Sequence, residues 1–449
     1  MHINNSEKLF TEIMMEQTIP VAVKEQKGIN AKEPVRKLLV IDTSYSLEAI
    51  VNRGLQESVT CRDLNGYFQH VWTVHPFATL VTSSAWAKKY GRLETHVINE
   101  RHTFIEGKIG RYAFLKGIFP LNFLIGQIGV FFRLRRLIKK EKINVIRSGD
   151  MLYLGLLSWA LARTSRIPFL VRVGGNHDKI FETTGQPIQK RLFLNRKIEK
   201  VVERFVFKRA DLVAGANLDN LNFALSNGAR PEFSTIFRYG NLIHKVHFTD
   251  PKTRTGGYSI LEKLGVEPKN YIIYIGRLEA VKHPDDVVKV LADVRERGQN
   301  IKALLVGDGK LLPQLKSLAA DLGIADHVIF CGNQNQEWLS NVIPLAAVVV
   351  SPHTGRALSE AALGAVPVVA YDVDWQGELI HSGVTGELVP HLAKTKMADA
   401  VERFLIDKEY ATKMGEAVRQ KTMEMMWPDT LDQHERDQYT ILLKRFGNK

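Results

Sequence analysis

The sequence predicts an α/β protein made of two doubly wound parallel sheets. Short apolar runs alternate with helical stretches through both halves of the chain, the pattern of repeated βαβ units. The 449 residues exceed what one hydrophobic core ordinarily holds, and residues 250–257 (DPKTRTGG) form a polar, turn-forming break near the middle. The expected organisation is a polar extension over 1–36, a first domain over 37–250, a second over 258–426 and a terminal segment over 427–449.

In chain order, residues 37–42 (KLLVID) read as the first strand, an apolar run closed by a polar turn. Residues 77–82, 143–146, 168–173 and 212–214 read as further strands of the first half, with clear helices over 151–164 and 190–208. In the second half, strands are expected over 271–275, 302–306, 328–331, 346–350 and 367–371. Helices are expected over 284–297, 310–322, 335–343, 393–406 and 408–425. In the tail, Leu431, His434, Gln438 and Leu442 recur at helical spacing.

Composition narrows the class. A hydrophobic fraction of 45% and a charged fraction of 24% are those of a globular protein. Two cysteines, Cys61 and Cys331, give neither a disulfide framework nor a metal cluster and fit a reducing compartment. The first residues (MHINNSEKLFTEIMMEQ) carry acidic side chains and lack an apolar core segment, so they do not read as a signal peptide. Together these features predict a cytoplasmic protein. Charge is uneven: residues 1–250 hold 37 Lys and Arg against 22 Asp and Glu, leaving 24 against 26 for the rest. A basic first half implies an anionic partner: a membrane surface, a phosphorylated acceptor or nucleic acid. Nucleic acid is disfavoured, because no recognisable module and no basic patch interleaved with aromatics is present.

Residues 113–142 (AFLKGIFPLNFLIGQIGVFFRLRRLIKKEK) join a mostly apolar stretch to a basic end. Lys116, Pro120, Asn122 and Gln127 interrupt it, so it is a poor transmembrane helix. It reads either as a basic amphipathic element for an anionic membrane interface or as a core helix with a solvated basic end.

The chemistry concentrates in the second half. Residues 348–370 (VVVSPHTGRALSEAALGAVPVVA) pass from strand through loop and helix to strand. Ligands of such sheets bind beyond the carboxyl ends of the strands. Glu360 lies on the helix that leaves one of those ends. A carboxylate there can accept both hydroxyl protons of a vicinal diol, as a ribose presents; alone, it equally reads as a solvated helix carboxylate. Upstream, residues 271–282 (YIIYIGRLEAVK) end a buried strand at Gly276 and place Arg277 and Lys282 before a helix. A guanidinium and an ammonium there make an anion site. Gly307-Asp308-Gly309 ends the next strand, its glycines permitting close backbone approach or a turn.

As an ordered set these pieces resemble the retaining glycosyltransferases of family 4, which have the two-domain GT-B fold. The resemblance rests on Gly276-Arg277-Leu278 with Lys282, then Gly307-Asp308-Gly309, then Gly355, Glu360-Ala361, Gly364 and Pro367-Val368-Val369-Ala370, then Glu378, Gly383 and Gly386. It covers residues 271–389 well and the first half loosely. It implies two Rossmann-like domains with a cleft between them and a last helix that crosses back to the first domain. It further implies that Arg277 and Lys282 hold a donor diphosphate and Glu360 the ribose hydroxyls, with Gly276, Gly307 and Gly309 in the donor site. One departure stands out. The family carries two glutamates, the first at the position of Pro352, and Pro352 cannot contact the donor sugar as a carboxylate would. His353, Thr354, Gly355 and Arg356 are the donor-site candidates in that altered loop. In the first half, residues 168–179 (PFLVRVGGNHDK) place His177 after a strand, where the resemblance implies a histidine at the donor sugar. Asp178 reads rather as a helix cap. Arg238 is a possible cleft cation, and Asp372-Val373-Asp374 reads as loop and cap rather than as a metal motif.

The expected function is transfer of a hexosyl group from a UDP- or GDP-sugar to a glycan or polyisoprenyl-linked acceptor, in cell-surface polysaccharide assembly at the inner face of the membrane. Arg277, Lys282 and His177 are its expected catalytic residues, with no metal and no other cofactor. The rival is a non-catalytic sugar-nucleotide-binding or scaffold subunit, supported by the missing first glutamate. A nucleotide-sugar epimerase on the same fold is a further alternative. A Rossmann oxidoreductase is disfavoured because no G-x-G-x-x-G follows an early strand.

Overall fold

The computed structural model describes residues 35–52, 55–84 and 86–447. Residues 1–34, nearly all of the expected extension, lie outside the described residues. The described chain builds two sheets. The first holds β1 Lys37–Ile41, β2 His70–His75, β3 Glu94–Asn99, β4 His102–Glu106, β5 Val145–Ser148, β6 Phe169–Val173, β7 Leu212–Gly215 and β8 Ser234–Ile236. Their order is β3-β4-β2-β1-β5-β6-β7-β8, and only the β3–β4 pair is antiparallel. The second holds β9 Tyr271–Ile275, β10 Lys302–Val306, β11 Val328–Gly332, β12 Val348–Ser351, β13 Val368–Tyr371 and β14 Glu387–Val389, all parallel, in the order β11-β10-β9-β12-β13-β14.

In the second sheet the central strands β9, β10 and β12 are buried and largely apolar, as strands covered on both faces are. Alternate residues of β9 serve two cores: Ile272 and Tyr274 pack with Val287, Leu291 and Val350 on one face, while Tyr271, Ile273 and Ile275 pack with Val349, Leu358 and Ala361 on the other. In each sheet the chain starts at the centre, winds outward one way, then returns to wind the other way. The winding reverses between β1 and β5 in the first sheet and between β9 and β12 in the second. A doubly wound sheet opens a ligand crevice at that reversal. The loops after β9 and β12, which carry Arg277, Lys282 and the 352–356 segment, lie there.

Two expectations are corrected. Residues 77–82, expected as a strand, instead hold the 3-10 turn Ala78–Leu80, and the strand lies earlier at β2. Pro76 follows β2 directly and cannot donate to a ladder. The 190–208 helix is two helices, Lys190–Phe193 and Arg196–Arg209, separated where Leu194 takes φ +63° and Asn195 caps the second through Ile198 N–H. The tail forms the helix Pro428–Gly447, in agreement with its spacing, and buries Asp432, Glu435, Tyr439 and Leu442. Its polar residues turn inward because partners await them. Asp432 accepts from Asn65 Nδ2 at 2.8 Å, and Glu435 meets Arg147 at 3.3 Å. Through these contacts, and Tyr439 packed edge-on against Phe68, this helix lies on the first sheet's layer.

Candidate active site

The loop after β9 is fixed by its neighbours before any ligand arrives. Gly276 N–H donates to Val306 O at 2.9 Å, Leu278 N–H donates to Asp308 O at 2.9 Å, and Tyr274 Oη donates to Arg277 O at 3.0 Å. Gly307 has φ +136°, and a Cβ there would sit 2.0 Å from Gly276 O. A Cβ on Gly309 would sit 2.4 Å from Leu278 O. Both glycines therefore let one loop lie on another. Neither lines the cleft, so their place in the donor site is to position Gly276–Leu278. Lys282 ends the 3-10 turn Ala280–Lys282, just before the helix Pro284–Glu296.

The loop after β12 is shaped by one buried amide. Gln376 Nε2 donates to Pro352 O at 3.0 Å and Tyr371 O at 2.8 Å, and its Oε1 accepts from Ser351 Oγ at 2.9 Å. Pro352 is thus clamped through its carbonyl and presents no polar side chain. His353 Nδ1 donates to Val281 O at 3.0 Å, which leaves Nε2 toward Asp374 Oδ2, 3.4 Å away. Thr354 hydrogen-bonds Ser351 through their hydroxyls. Gly355, at φ +68°, passes under Lys282 with room for a Cβ 3.6 Å from Nζ. The helix Ala357–Ala362 then carries Glu360, whose Oε1 lies 3.7 Å from Arg356 Nε.

These residues meet the first sheet's loops in two adjoining compartments. One, of about 590 Å³, is lined by Gly276, Arg277, Lys282, Thr354, Arg356 and Glu360 from the second half, and by Ser44, Arg62, Arg147 and Arg172 from the first. The other, of about 650 Å³, is lined by His353, Gly355, Asp374 and Trp375 together with Asn176, Asp219 and Arg238. Arg277, Lys282 and Arg356 line both and so stand between them.

Burial tunes the charges. It pushes the Glu360 carboxyl above the usual glutamate range, with Arg356 opposing. It lowers Lys282 from the usual lysine value; Asp374 pulls that value back up and Arg277 lowers it further. Two cations held close without a full complement of carboxylates form a site that a polyanion relieves.

The structure brings Gly276, Arg277, Lys282, His353, Thr354, Gly355, Arg356 and Glu360 to the cleft, and it does not bring His177 there. His177 starts the helix His177–Thr184, and its Nδ1 lies 2.7 Å from Glu203 Oε1. Glu203 is also held by Arg196, which binds Asp178 at 2.9 Å. This buried ion network holds the imidazole through Nδ1, and His177, expected at the donor sugar, lines neither compartment. Arg238, read as a cleft cation, pairs with Glu378 at 2.8 Å. The cleft cations Arg62, Arg147 and Arg172 carried no local motif, and neither did Glu435 on the last helix.

Residues 259–421 match the family described as Glycosyl transferases group 1. The chain is 32% identical over 173 residues to the alpha-D-kanosaminyltransferase of Streptomyces kanamyceticus, covering 38% of this chain and 45% of that protein. It is 33% identical over 181 residues to the GDP-mannose-dependent alpha-(1-6)-phosphatidylinositol monomannoside mannosyltransferase of Mycobacterium tuberculosis, covering 38% of this chain and 46% of that protein. The matches thus span somewhat less than half the length of these relatives. Solved structures extend the likeness to both sheets. Anabaena HepE in complex with UDP and glucose superposes with TM-score 0.66 at 16% identity, over 90% of this chain and 99% of that one. Sucrose-phosphate synthase from Thermosynechococcus elongatus superposes with TM-score 0.67 at 17% identity, over 91% of this chain and 100% of that one. Residues 259–421 are thus similar to the Glycosyl transferases group 1 family, and the described chain has the GT-B fold.

Proposed function

We propose that the protein is a retaining glycosyltransferase that moves a hexosyl group from a nucleoside diphosphate sugar to an acceptor bound on the first domain. The observation that supports this most is the meeting, at the second sheet's winding reversal, of an exposed Arg277 and a half-buried Lys282 with a buried carboxylate, Glu360, in one compartment. A diphosphate needs the cations, and a ribose diol needs the carboxylate. Arg277 and Lys282 take the donor diphosphate, Glu360 accepts from the ribose hydroxyls, and Arg356 adds a contact between the two compartments. In the front-face reaction the bond between the anomeric carbon and the β-phosphate oxygen breaks. The acceptor oxygen bonds that carbon from the same face, and its proton passes to the departing phosphate. The negative charge that develops on the diphosphate falls to Arg277 and Lys282. His353 and Asp374 stand in for the absent glutamate toward the donor sugar.

The test is nucleotide release from a panel of UDP- and GDP-sugars, with and without glycan acceptors. Release with one donor supports the reading. Release with none, from protein that also fails to bind nucleotides, leaves the non-catalytic subunit reading in its place.

A second observation supports work at a membrane surface. The helix Phe119–Glu141 buries Asn122 and Gln127 along with Val130, Leu134 and Ile138, while Leu121, Leu124, Ile128 and Phe132 on it, and Phe114 and Ile118 just before it, are 45–79% exposed. Asn122 accepts from Arg111 N–H at 2.7 Å, and Gln127 accepts from Tyr153 Oη at 2.6 Å. Exposed Lys116, Arg133, Arg136, Lys139 and Lys140 accompany these apolar residues. No helix among the described residues is long and apolar enough to cross a membrane. Exposed apolar residues flanked by cations suit the headgroup layer of an anionic bilayer on the cytoplasmic side, where a polyisoprenyl-linked acceptor would be met. Vesicles containing phosphatidylglycerol should sediment the protein. A Phe114→Ser, Leu124→Ser, Phe132→Ser variant should stay in solution with an unchanged melting temperature. Equal sedimentation of both would exclude this surface.

A further inference from the structure

The first-domain wall of the 590 Å³ compartment holds a buried cation whose hydrogen-bond donors are only partly used. Arg172 sits on β6, 6% exposed, and its Nε and Nη1 are buried without a hydrogen-bond partner. Its guanidinium lies over the rings of Phe237 and Tyr239, 5.6 and 5.0 Å from their centroids. Those faces offer cation–π attraction but accept no N–H in its plane. Glu435 attracts Arg172 but forms its ion pair with Arg147, at 3.3 Å. Burial lowers Arg172 from the usual arginine value; Tyr239 opposes, Arg147 lowers it further and Glu435 opposes again. Six cationic side chains line this compartment, Arg62, Arg147, Arg172, Arg277, Lys282 and Arg356, against three carboxylates, Asp42, Glu360 and Glu435. A donor diphosphate neutralises two of the three excess charges and leaves one, on the first domain's side.

We infer that Arg172 is a binding residue for an oxyanion carried by the acceptor, so that the substrate is a phosphorylated or acidic sugar rather than a neutral glycan end. This rests on the donor reading above, which assigns Arg277 and Lys282 to the diphosphate. The guanidinium fork matches phosphate or carboxylate oxygens, and a dry site held by aromatic faces makes each such bond stronger than at the surface. A buried charge with unbonded N–H groups is tolerated where ligand binding supplies their partner.

The experiment is calorimetric titration of inorganic phosphate into the full chain saturated with UDP, or with GDP where UDP does not bind. The wild type should take up phosphate beside the nucleotide. Arg172→Gln and Arg172→Met should weaken that uptake at least tenfold while nucleotide affinity holds. In phosphate-free buffer both variants should melt higher than wild type, because they remove a buried charge with unbonded N–H groups; this readout also establishes that they fold. No phosphate uptake beside the nucleotide, or equal uptake by the variants, overturns the inference. So does a fall in nucleotide affinity with Arg172→Gln, which would make Arg172 a donor contact. Should neither nucleotide bind, the donor reading has failed on its own. The phosphate titration is then run on Arg277→Ala, Lys282→Ala protein, where only the first-domain site remains. Competition by glucose 6-phosphate, glucuronate or farnesyl phosphate in detergent identifies the carrier, and competition by none of them overturns the acceptor assignment.

Discussion

Glu360 and Lys282 show how burial makes ordinary residues specific. Glu360→Gln keeps the shape but loses the charged acceptor, and a hydrogen bond to a charged group contributes about 1.5–3 kcal/mol. Nucleotide affinity should fall roughly 10- to 100-fold by titration calorimetry. The pH dependence follows from the raised carboxyl. As pH falls, Glu360 takes its proton while still above the usual glutamate range, so wild-type affinity should weaken there, and the Gln variant should not show that step. On the alkaline side the lowered Lys282 loses its charge before an ordinary lysine would, so turnover should fall as pH rises through that point. Lys282→Ala should reduce kcat by about 10²–10³-fold with the melting temperature nearly unchanged, as for removal of one donor to a developing negative charge. Near-normal turnover would remove Lys282 from the mechanism. Residues of this kind were legible in the sequence because they follow buried strands within a few positions. Arg147, Arg172 and Glu435 were not. Arg147 and its partner Glu435 are 288 residues apart, and no local pattern announces such a meeting.

At the scale of elements, the central strands β9, β10, β12 and β13 were readable because layers on both sides demand unbroken apolar runs. The edge strands were not. β3 is exposed along most of its length, and β14 has three residues. Which helix face is buried was not legible where polar residues are buried by partners, as in Pro428–Gly447, or where apolar ones face out, as in Phe119–Glu141. The loop pairing of β9 and β10 yields its own prediction. Gly307→Ala would place a methyl 2.0 Å from Gly276 O at φ +136°. The loops must part, so stability should drop by at least about 2 kcal/mol in urea unfolding, and nucleotide affinity should drop with it as Arg277 moves. A variant with native stability and affinity would show that this backbone approach positions nothing.

Across the whole molecule, the second half grips the first at two places. The last helix lies on the first sheet's layer through Glu435 and Tyr439. Glu378, beside the cleft, accepts from Leu218 N–H at 2.7 Å and pairs with Arg238 at 2.8 Å. A carboxylate at the start of the helix Leu218–Ser226 meets both an unpaired backbone donor and the positive end of the helix dipole. Glu378→Ala should loosen closure over the cleft, seen as a larger radius of gyration in solution scattering and a lower kcat/KM. An unchanged radius and rate would mean that the contact is incidental. The diphosphate site carries the proposed chemistry. The most direct measurement is the melting temperature with millimolar UDP, GDP and ADP, for wild type and for the Arg277→Ala, Lys282→Ala variant. One nucleotide at about 100 times its Kd should add about 2.7 kcal/mol and raise the wild-type melting point, leaving the variant unmoved. No rise with any nucleotide, or an equal rise in the variant, would contradict the account.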